Sequence, residues 1–281
     1  MLDKKDSKKI SPNEIGLEIG LVLSRFFLNS EHLHFGYWPD DLSLNLENLK
    51  KAQDYHSDQI INSIPDGVKT ILDVGSGSGG LAEKLVNNGY TVDCVSPSNY
   101  LSDVIEEKLK SGVTVHRSTF EKLELNKKYD LVVFSESFQY VKLNDSIKKI
   151  ISVLNKNGHL LICDVFHKNV EGISPMRGGH RLDLFDDEIS NSTLVKEKDI
   201  DITKETAPTW DFLNQLLNEV AIPISDMSNN YLEYKYPRLT KLIKWKYQRK
   251  LNKIKKVWLS GELTGESFIK FKSYRLFIYK N

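Results

Sequence analysis

Hydrophobic positions along the chain change period several times, and each change marks an element. From Glu14 to Asn29 the residues Ile15, Ile19, Val22, Leu23, Phe26 and Phe27 recur at helical spacing. A second amphipathic helix is predicted from Leu46 to Ser63, closed by Pro65-Asp66-Gly67. Short apolar runs then alternate with helical stretches. Strands are predicted at Thr70–Val74, Thr91–Val95, Val113–His116, Tyr129–Phe134, His159–Phe166, Leu194–Ile202 and Tyr274–Tyr279. Helices fall between them at Leu81–Asn87, Leu101–Lys110, Ser146–Leu154 and Leu182–Ile189.

That cadence predicts an α/β fold with right-handed crossovers: a Rossmann-like, seven-stranded, mainly parallel sheet with helices on both faces. The expected division is a tail with a helical, aromatic lid at 1–64 and a core at 65–203. A helical, basic cap is inserted at 204–265, and a last helix and strand at 266–281 complete the sheet. Ligands of such sheets bind beyond the carboxyl ends of the strands.

The first strand breaks into Asp73-Val74-Gly75-Ser76-Gly77-Ser78-Gly79-Gly80. Four glycines in six residues exceed what a tight turn needs, and they suit a backbone that a ligand must touch without an intervening Cβ. Gly75, Gly77 and Gly80 also satisfy the dinucleotide spacing G-x-G-x-x-G. Asp73 tips the balance, because a carboxylate there repels a pyrophosphate and attracts a cationic amino-acid ligand.

The run D-V-G-S-G-S-G resembles motif I of the class I S-adenosylmethionine-dependent methyltransferases. The resemblance implies that Asp73, Gly75, Ser76, Gly77 and Gly79 hold the methionine end of that cofactor. His34-Phe35-Gly36-Tyr37-Trp38 is similar to the lid loop of small-molecule members. These are tocopherol/sterol C-methyltransferase-like, sugar O-methyltransferase-like and cyclopropane fatty acid synthase-like enzymes. Tyr37 is then expected on the methionine carboxylate, with Trp38 beside the cofactor and His34 toward the acceptor. By composition alone the same rings also read as a plug over the core. Gln53, on the second helix, is a further residue that can face the cofactor.

After the second strand, Ser96 stands where an acid usually grips the ribose hydroxyls. Ser96 and Ser98 are expected at the ribose as neutral, weaker partners. No Arg or Lys adjoins Ser96 to take a 2′-phosphate, and this opposes an NADP reading. The resemblance places Thr119 and Phe120 at the adenine. It sets Ser135 against the cofactor, and Glu136, Gln139 and Tyr140 between cofactor and acceptor. Glu136, Tyr140 and His180 are the candidates for orienting or deprotonating the acceptor.

Arg177-Gly178-Gly179-His180 reads either as a flexible connection or as the acceptor's entrance, with Arg177 holding an anionic group. Asp201 reads as a solvated strand-end charge or, by resemblance to tocopherol-methyltransferase-like enzymes, as part of the turn that closes the substrate pocket. From Lys235 to Lys256 there are ten basic residues and no acid, with Leu239, Leu242, Ile243, Leu251, Ile254 and Trp258 largely on one stripe. This is either a cap helix packed on the core or a surface for anionic headgroups or a phosphorylated acceptor, with Trp245 and Trp258 as interfacial rings.

Composition narrows the choices further. A chain of 281 residues with net charge +1 exerts no global pull on nucleic acid, and no motif for it is present. No run of 18 apolar residues exists to span a membrane, and Met1 to Ser11 reads as a loose charged tail rather than a signal peptide. Cys94 and Cys163 fall in apolar strands without metal-ligand spacing, so no metal is expected and a reducing cytoplasm suits them. The sequence thus points to an S-adenosylmethionine-dependent transferase acting on a small molecule of secondary metabolism at carbon, oxygen or nitrogen. Isoprenoid, lipid-like, sugar or phosphorylated acceptors all fit. The alternatives are lipid cyclopropanation at a membrane surface, a nicotinamide oxidoreductase (opposed by Asp73 and Ser96), and a cofactor-binding module without turnover.

Overall fold

The computed structural model describes residues 12–258 and 261–281. The expectations for the Met1–Ser11 tail and for the side chains of Lys253, Ile254 and Trp258 lie outside the described residues. Two helices lead the chain, α1 (Pro12–Leu28) and α2 (Leu46–Ile61). Asn45 starts the second by accepting a hydrogen bond from Asn48 N–H through its side chain.

The core follows as β1 (Thr70–Val74), α3 (Gly80–Asn87), β2 (Thr91–Val95), α4 (Asn99–Leu109), β3 (Val113–His116), β4 (Tyr129–Ser135), α5 (Leu143–Val153) and β5 (Leu154–His167). It continues with β6 (His180–Arg181), α6 (Leu182–Ser190) and β7 (Val195–Asp201). The insertion carries α7 (Thr203–Thr206), α8 (Pro208–Leu216), a π-helical turn at Leu217–Ala221, α9 (Ile222–Lys235) and α10 (Pro237–Trp258). The chain closes with α11 (Gly265–Phe271) and β8 (Lys272–Lys280).

The sheet runs β3-β2-β1-β4-β5-β8-β7, with β8 antiparallel to both its neighbours and β1 to β5 parallel. The expected architecture holds. Period-two alternation sends Leu72, Val132, Phe134, Leu160, Ile162 and Phe277 to one core. It sends Ile71, Leu131, Val133, Leu161, Leu276 and Ile278 to the other. Strands buried on both faces explain the near-continuous apolar runs in the sequence.

Two local expectations need correction. The Asn157-Gly158 pair has the composition of a turn that ends the helix predicted at Ser146–Leu154, but α5 ends at Val153 and both residues lie inside β5. Asn157 has φ +62°, and the register of β5 against β4 shifts between Tyr129 and Leu131. A bulge therefore absorbs residues that look like a turn. The Gly178-Gly179 stretch is no slack connection. His180 and Arg181 pair with Phe166 and His167 as an eighth, two-residue strand.

Candidate active site

At the mouth of β1, Asp73 is 1% exposed, and its Oδ2 has no hydrogen-bond partner among the described residues. Burial raises its carboxyl to about 7. Gly75 has φ +78°, and a Cβ there would lie 2.3 Å from Ser137 Cβ, so only glycine closes this turn. Gly77, at φ +55°, faces the mouth: a Cβ built on it meets only Leu33 Cδ1, at 3.9 Å.

The backbone bonds separate these glycine-loop residues by role. Gly75 N–H and Ser76 N–H donate to Val95 O, Ser76 Oγ donates to Asp73 O at 2.8 Å, and Gly79 N–H returns to Ser76 O. Those groups shape the turn. Gly77 N–H makes no such bond among the described residues and remains with Asp73 Oδ2 for a ligand. An orphaned buried carboxylate beside bare peptide fits the cationic, amino-acid end of S-adenosylmethionine.

The other expected cofactor contacts are spread unevenly. Ser96 is 3% exposed, and its hydroxyl makes no hydrogen bond among the described residues. Ser98 Oγ instead caps α4 by accepting from Leu101 N–H. Phe120 is 2% exposed and packs edge-on against Phe134 in the core, which leaves exposed Thr119 as the accessible member of that pair. Ser135 ends β4 half-buried. Tyr37 is half-buried with an unpartnered hydroxyl among the described residues, whereas Trp38 is 4% exposed and spends its indole N–H on Thr209 Oγ1 at 3.0 Å. Gln53 donates to His34 O at 2.8 Å, and its buried Oε1 is unpartnered among the described residues.

The lid reaches across the sheet end to Glu136. Phe35 N–H and Tyr274 O–H both donate to Glu136 Oε1 at 2.7 Å. His56 Nε2 lies 2.9 Å from the same tyrosine hydroxyl, and burial holds this imidazole neutral, near 3. Glu136 itself sits at φ +54°, a left-handed conformation that a glutamate adopts at a cost. Burial pushes its carboxyl up to about 8, against the lowering effect of its two donors.

A cavity of about 250 Å³ opens beside it, lined among others by Phe35, Glu136, Gln139, Tyr140, Arg177, Trp210, Lys272 and Tyr274. Gln139 is fixed by buried Asp164, which accepts from both its backbone and its side-chain amide. Tyr140 is 68% exposed at the rim. The sequence candidates Glu136, Gln139, Tyr140 and Arg177 are thus brought together.

Three other candidates do not line the cavity. His180 Nε2 bonds Phe138 O at 3.0 Å, with the ring edge-on to Phe138, and the residue does not line the cavity. His34 stacks on His56 and bonds Ser57, His32 and Phe35 O. Asp201 accepts from Thr203 N–H and pairs with Arg275.

His34, His56 and Glu136 bring ligand-type atoms within 4.8 Å of one another, a grouping that linear spacing did not reveal. Most of their ligand-type atoms are already engaged by the hydrogen bonds just given, and His56 Nδ1 and Glu136 Oε2 are left without a partner among the described residues. Sequence reasoning also missed Trp210, Lys272 and Tyr274. One signal was present: Lys272, Tyr274, Leu276 and Ile278 share one face of β8 by alternation, so a strand begun two residues earlier puts a lysine inside.

A nucleotide-type cofactor fold with a cation-seeking carboxylate at its first strand defines the class. Residues 34–200 match the family model described as "Methyltransferase domain", which covers more than half of the chain. The chain belongs to this methyltransferase family, in the class whose cofactor is S-adenosylmethionine. An uncharacterized methyltransferase of Bacillus cytotoxicus is 28% identical over 138 residues, covering 45% of this chain and 65% of that protein. Among solved structures, the [4+2]-cyclase SpnF superposes with TM-score 0.68 at 15% identity, covering 96% of this chain and 94% of that one. Geranyl diphosphate C-methyltransferase from Streptomyces coelicolor, in complex with Mg²⁺, geranyl diphosphate and S-adenosyl-L-homocysteine, gives 0.67 at 14%, covering 97% and 99%. Identities this low speak for the fold alone.

Proposed function

We propose that this protein methylates a small-molecule acceptor held in the cavity beside Glu136, at carbon, oxygen or nitrogen. The single observation that carries the reading is Asp73 Oδ2, buried and unpartnered beside an open glycine at the strand end. S-adenosylmethionine supplies an already activated methyl group. The chain's own work is to align the acceptor, exclude water and take a proton. Phe35, carried by the lid, and Tyr274 orient Glu136 through its Oε1. Oε2 has no partner among the described residues, and there Glu136 receives the acceptor's proton. Tyr140 and Gln139 position the acceptor at the cavity rim, and Tyr37, Gly77 and Ser96 are the contacts we assign to the cofactor's methionine end and ribose.

A cytoplasmic setting fits two buried, unbridged thiols. Among the described residues no helix is long and apolar enough to cross a membrane. Surface contact with a membrane is a separate matter, favoured by α9 and α10. Leu239, Leu242, Ile243 and Trp245 are 46–75% exposed on a helix rich in lysine and arginine. That surface also suits an acceptor drawn from lipid, as in the cyclopropanation alternative.

A crystal structure with S-adenosylhomocysteine tests the reading. Its sulfur should face the cavity from the β1 mouth. A sulfur turned away from Glu136 and Tyr140, or a mouth that takes NAD instead, refutes it.

A further inference from the structure

Lys272 opens β8 and lines the cavity, yet it is 1% exposed. Among the described residues its ammonium group has three hydrogen-bond partners, all of them neutral: His167 Nε2 at 2.6 Å, Gly178 O at 2.6 Å and, more distantly, Arg177 O at 3.5 Å. No carboxylate pairs with it among the described residues. Two partly buried lysines do have carboxylate partners: Lys84 meets Asp54 and Asp58, and Lys108 meets Glu31. Lys149 also rests on backbone carbonyls, but it is only half-buried, whereas Lys272 is almost wholly enclosed. A buried cation without a counter-charge is costly unless a ligand supplies one. Burial accordingly pulls this ammonium down to about 8.

The surroundings are built rather than accidental. Gly178 and Gly179 both have positive φ. A Cβ on Gly178 would lie 2.2 Å from Gln139 Oε1, and one on Gly179 would lie 2.7 Å from Val165 O. Only glycines let this backbone press against the cavity and deliver the Gly178 carbonyl to Lys272. Arg177, on the same loop, lines the cavity with an exposed guanidinium that has no partner among the described residues. Trp210 Nε1–H, buried and unpartnered among the described residues, lines it as well. Two cations and a free N–H donor, with Phe35 and Phe268 as apolar wall, face a cavity whose acid is Glu136.

We infer that the acceptor carries a compact oxyanion, a phosphate or a carboxylate, seated on Lys272 and Arg177 at the cavity end away from the methyl donor. The assignment of that anion to an acceptor rests on the methyl-transfer reading. The subsite itself does not. Lys272 and Tyr274 stand two residues apart on one strand face, roughly 7 Å along the chain. Since Tyr274 bonds Glu136, the anion lies within one small molecule's length of the proton acceptor. The substrate class is therefore a small molecule with a methylatable atom near one end and an oxyanion at the other.

Phenyl phosphate, benzoate and neutral benzyl alcohol are the probes, titrated by calorimetry and ligand NMR with and without S-adenosylhomocysteine. Wild-type protein should bind at least one anion and ignore the alcohol, and the stronger anion names the headgroup. Lys272→Met and Arg177→Gln should each weaken that binding about tenfold or more, while S-adenosylhomocysteine affinity stays within about twofold. Retained cofactor affinity is the control for folding. If Lys272→Met does not fold, Arg177→Gln decides. Anion binding that neither variant weakens, binding of the alcohol as tight as the anion, or no anion binding at all overturns the inference. Failure to bind S-adenosylhomocysteine, with anion binding intact, would instead overturn the methyl-transfer reading.

Discussion

A carboxyl group serves as a base only where its proton can leave near working pH, and burial sets that point for Glu136 at about 8. The charged form gains as pH rises through that value. Turnover limited by proton removal should therefore climb from pH 6.5 and level off above about 8.5. Glu136→Gln should lower kcat by about 10²–10⁴-fold and flatten this limb, read by S-adenosylhomocysteine release. A variant with unchanged rate and profile would remove Glu136 from the chemistry. His180→Ala, by contrast, should leave the profile in place, because its ring is tied to Phe138 O.

The placement of the glycine loop and of Ser135–Tyr140 at strand ends was legible in the sequence, because each lies within a few positions of its strand. His56, Trp210, Lys272 and Tyr274 were not. They reach the site across separations such as the 138 residues between Tyr274 and Glu136, and no local pattern records such a meeting. Phe120 and Trp38 present the opposite case: both are buried, and the Trp38 indole N–H is spent on Thr209. A ring in a loop looks available, and only packing shows that it is spent.

At the scale of elements, six of the seven expected strands appear within two residues of their expected ends, because buried parallel strands need continuous apolar runs. The fifth, β5, starts five residues early through the bulge at Asn157. The basic helix is where the alternatives stayed open. α10 packs along α9 and leaves Leu242 56% and Trp245 75% exposed. Lys244 is paired with Glu233, so it is the unpaired lysines and arginines of this face that would meet a headgroup. The protein should float with phosphatidylglycerol vesicles and not with phosphatidylcholine ones. Leu242→Glu with Trp245→Glu should abolish flotation while cofactor affinity is kept. Equal recovery of wild type and variant would make the hairpin a cap and nothing more.

Taken as a whole, the molecule carries several carboxyl groups raised by burial: Asp73 and Asp164 to about 7, and Glu136 to about 8. In each the folded state holds a proton that the unfolded chain has released above about 4.5. Their contribution to stability is therefore present at low pH and lost as pH rises through 7 to 8. Histidines 32, 34, 56 and 167 are lowered in the fold and act oppositely, but only below 6.5, where the unfolded chain takes up protons. Between pH 6.5 and 8 the carboxyls act without the histidines' opposition; Lys272, lowered to about 8, opposes them only toward the top of that interval, and the melting temperature should fall. Asp164→Asn should reduce the slope. A melting temperature that rises across the interval would contradict this electrostatic picture.

The central claim concerns one carboxylate and one sulfonium. Calorimetric titration at pH 7.5 with S-adenosylmethionine, compared between wild type and Asp73→Asn, tests it most directly. The account predicts binding by the wild type and a loss of about tenfold or more in the variant, with no heat from NAD for either. Equal affinity in the two proteins, or binding of NAD in place of the methyl donor, would contradict it.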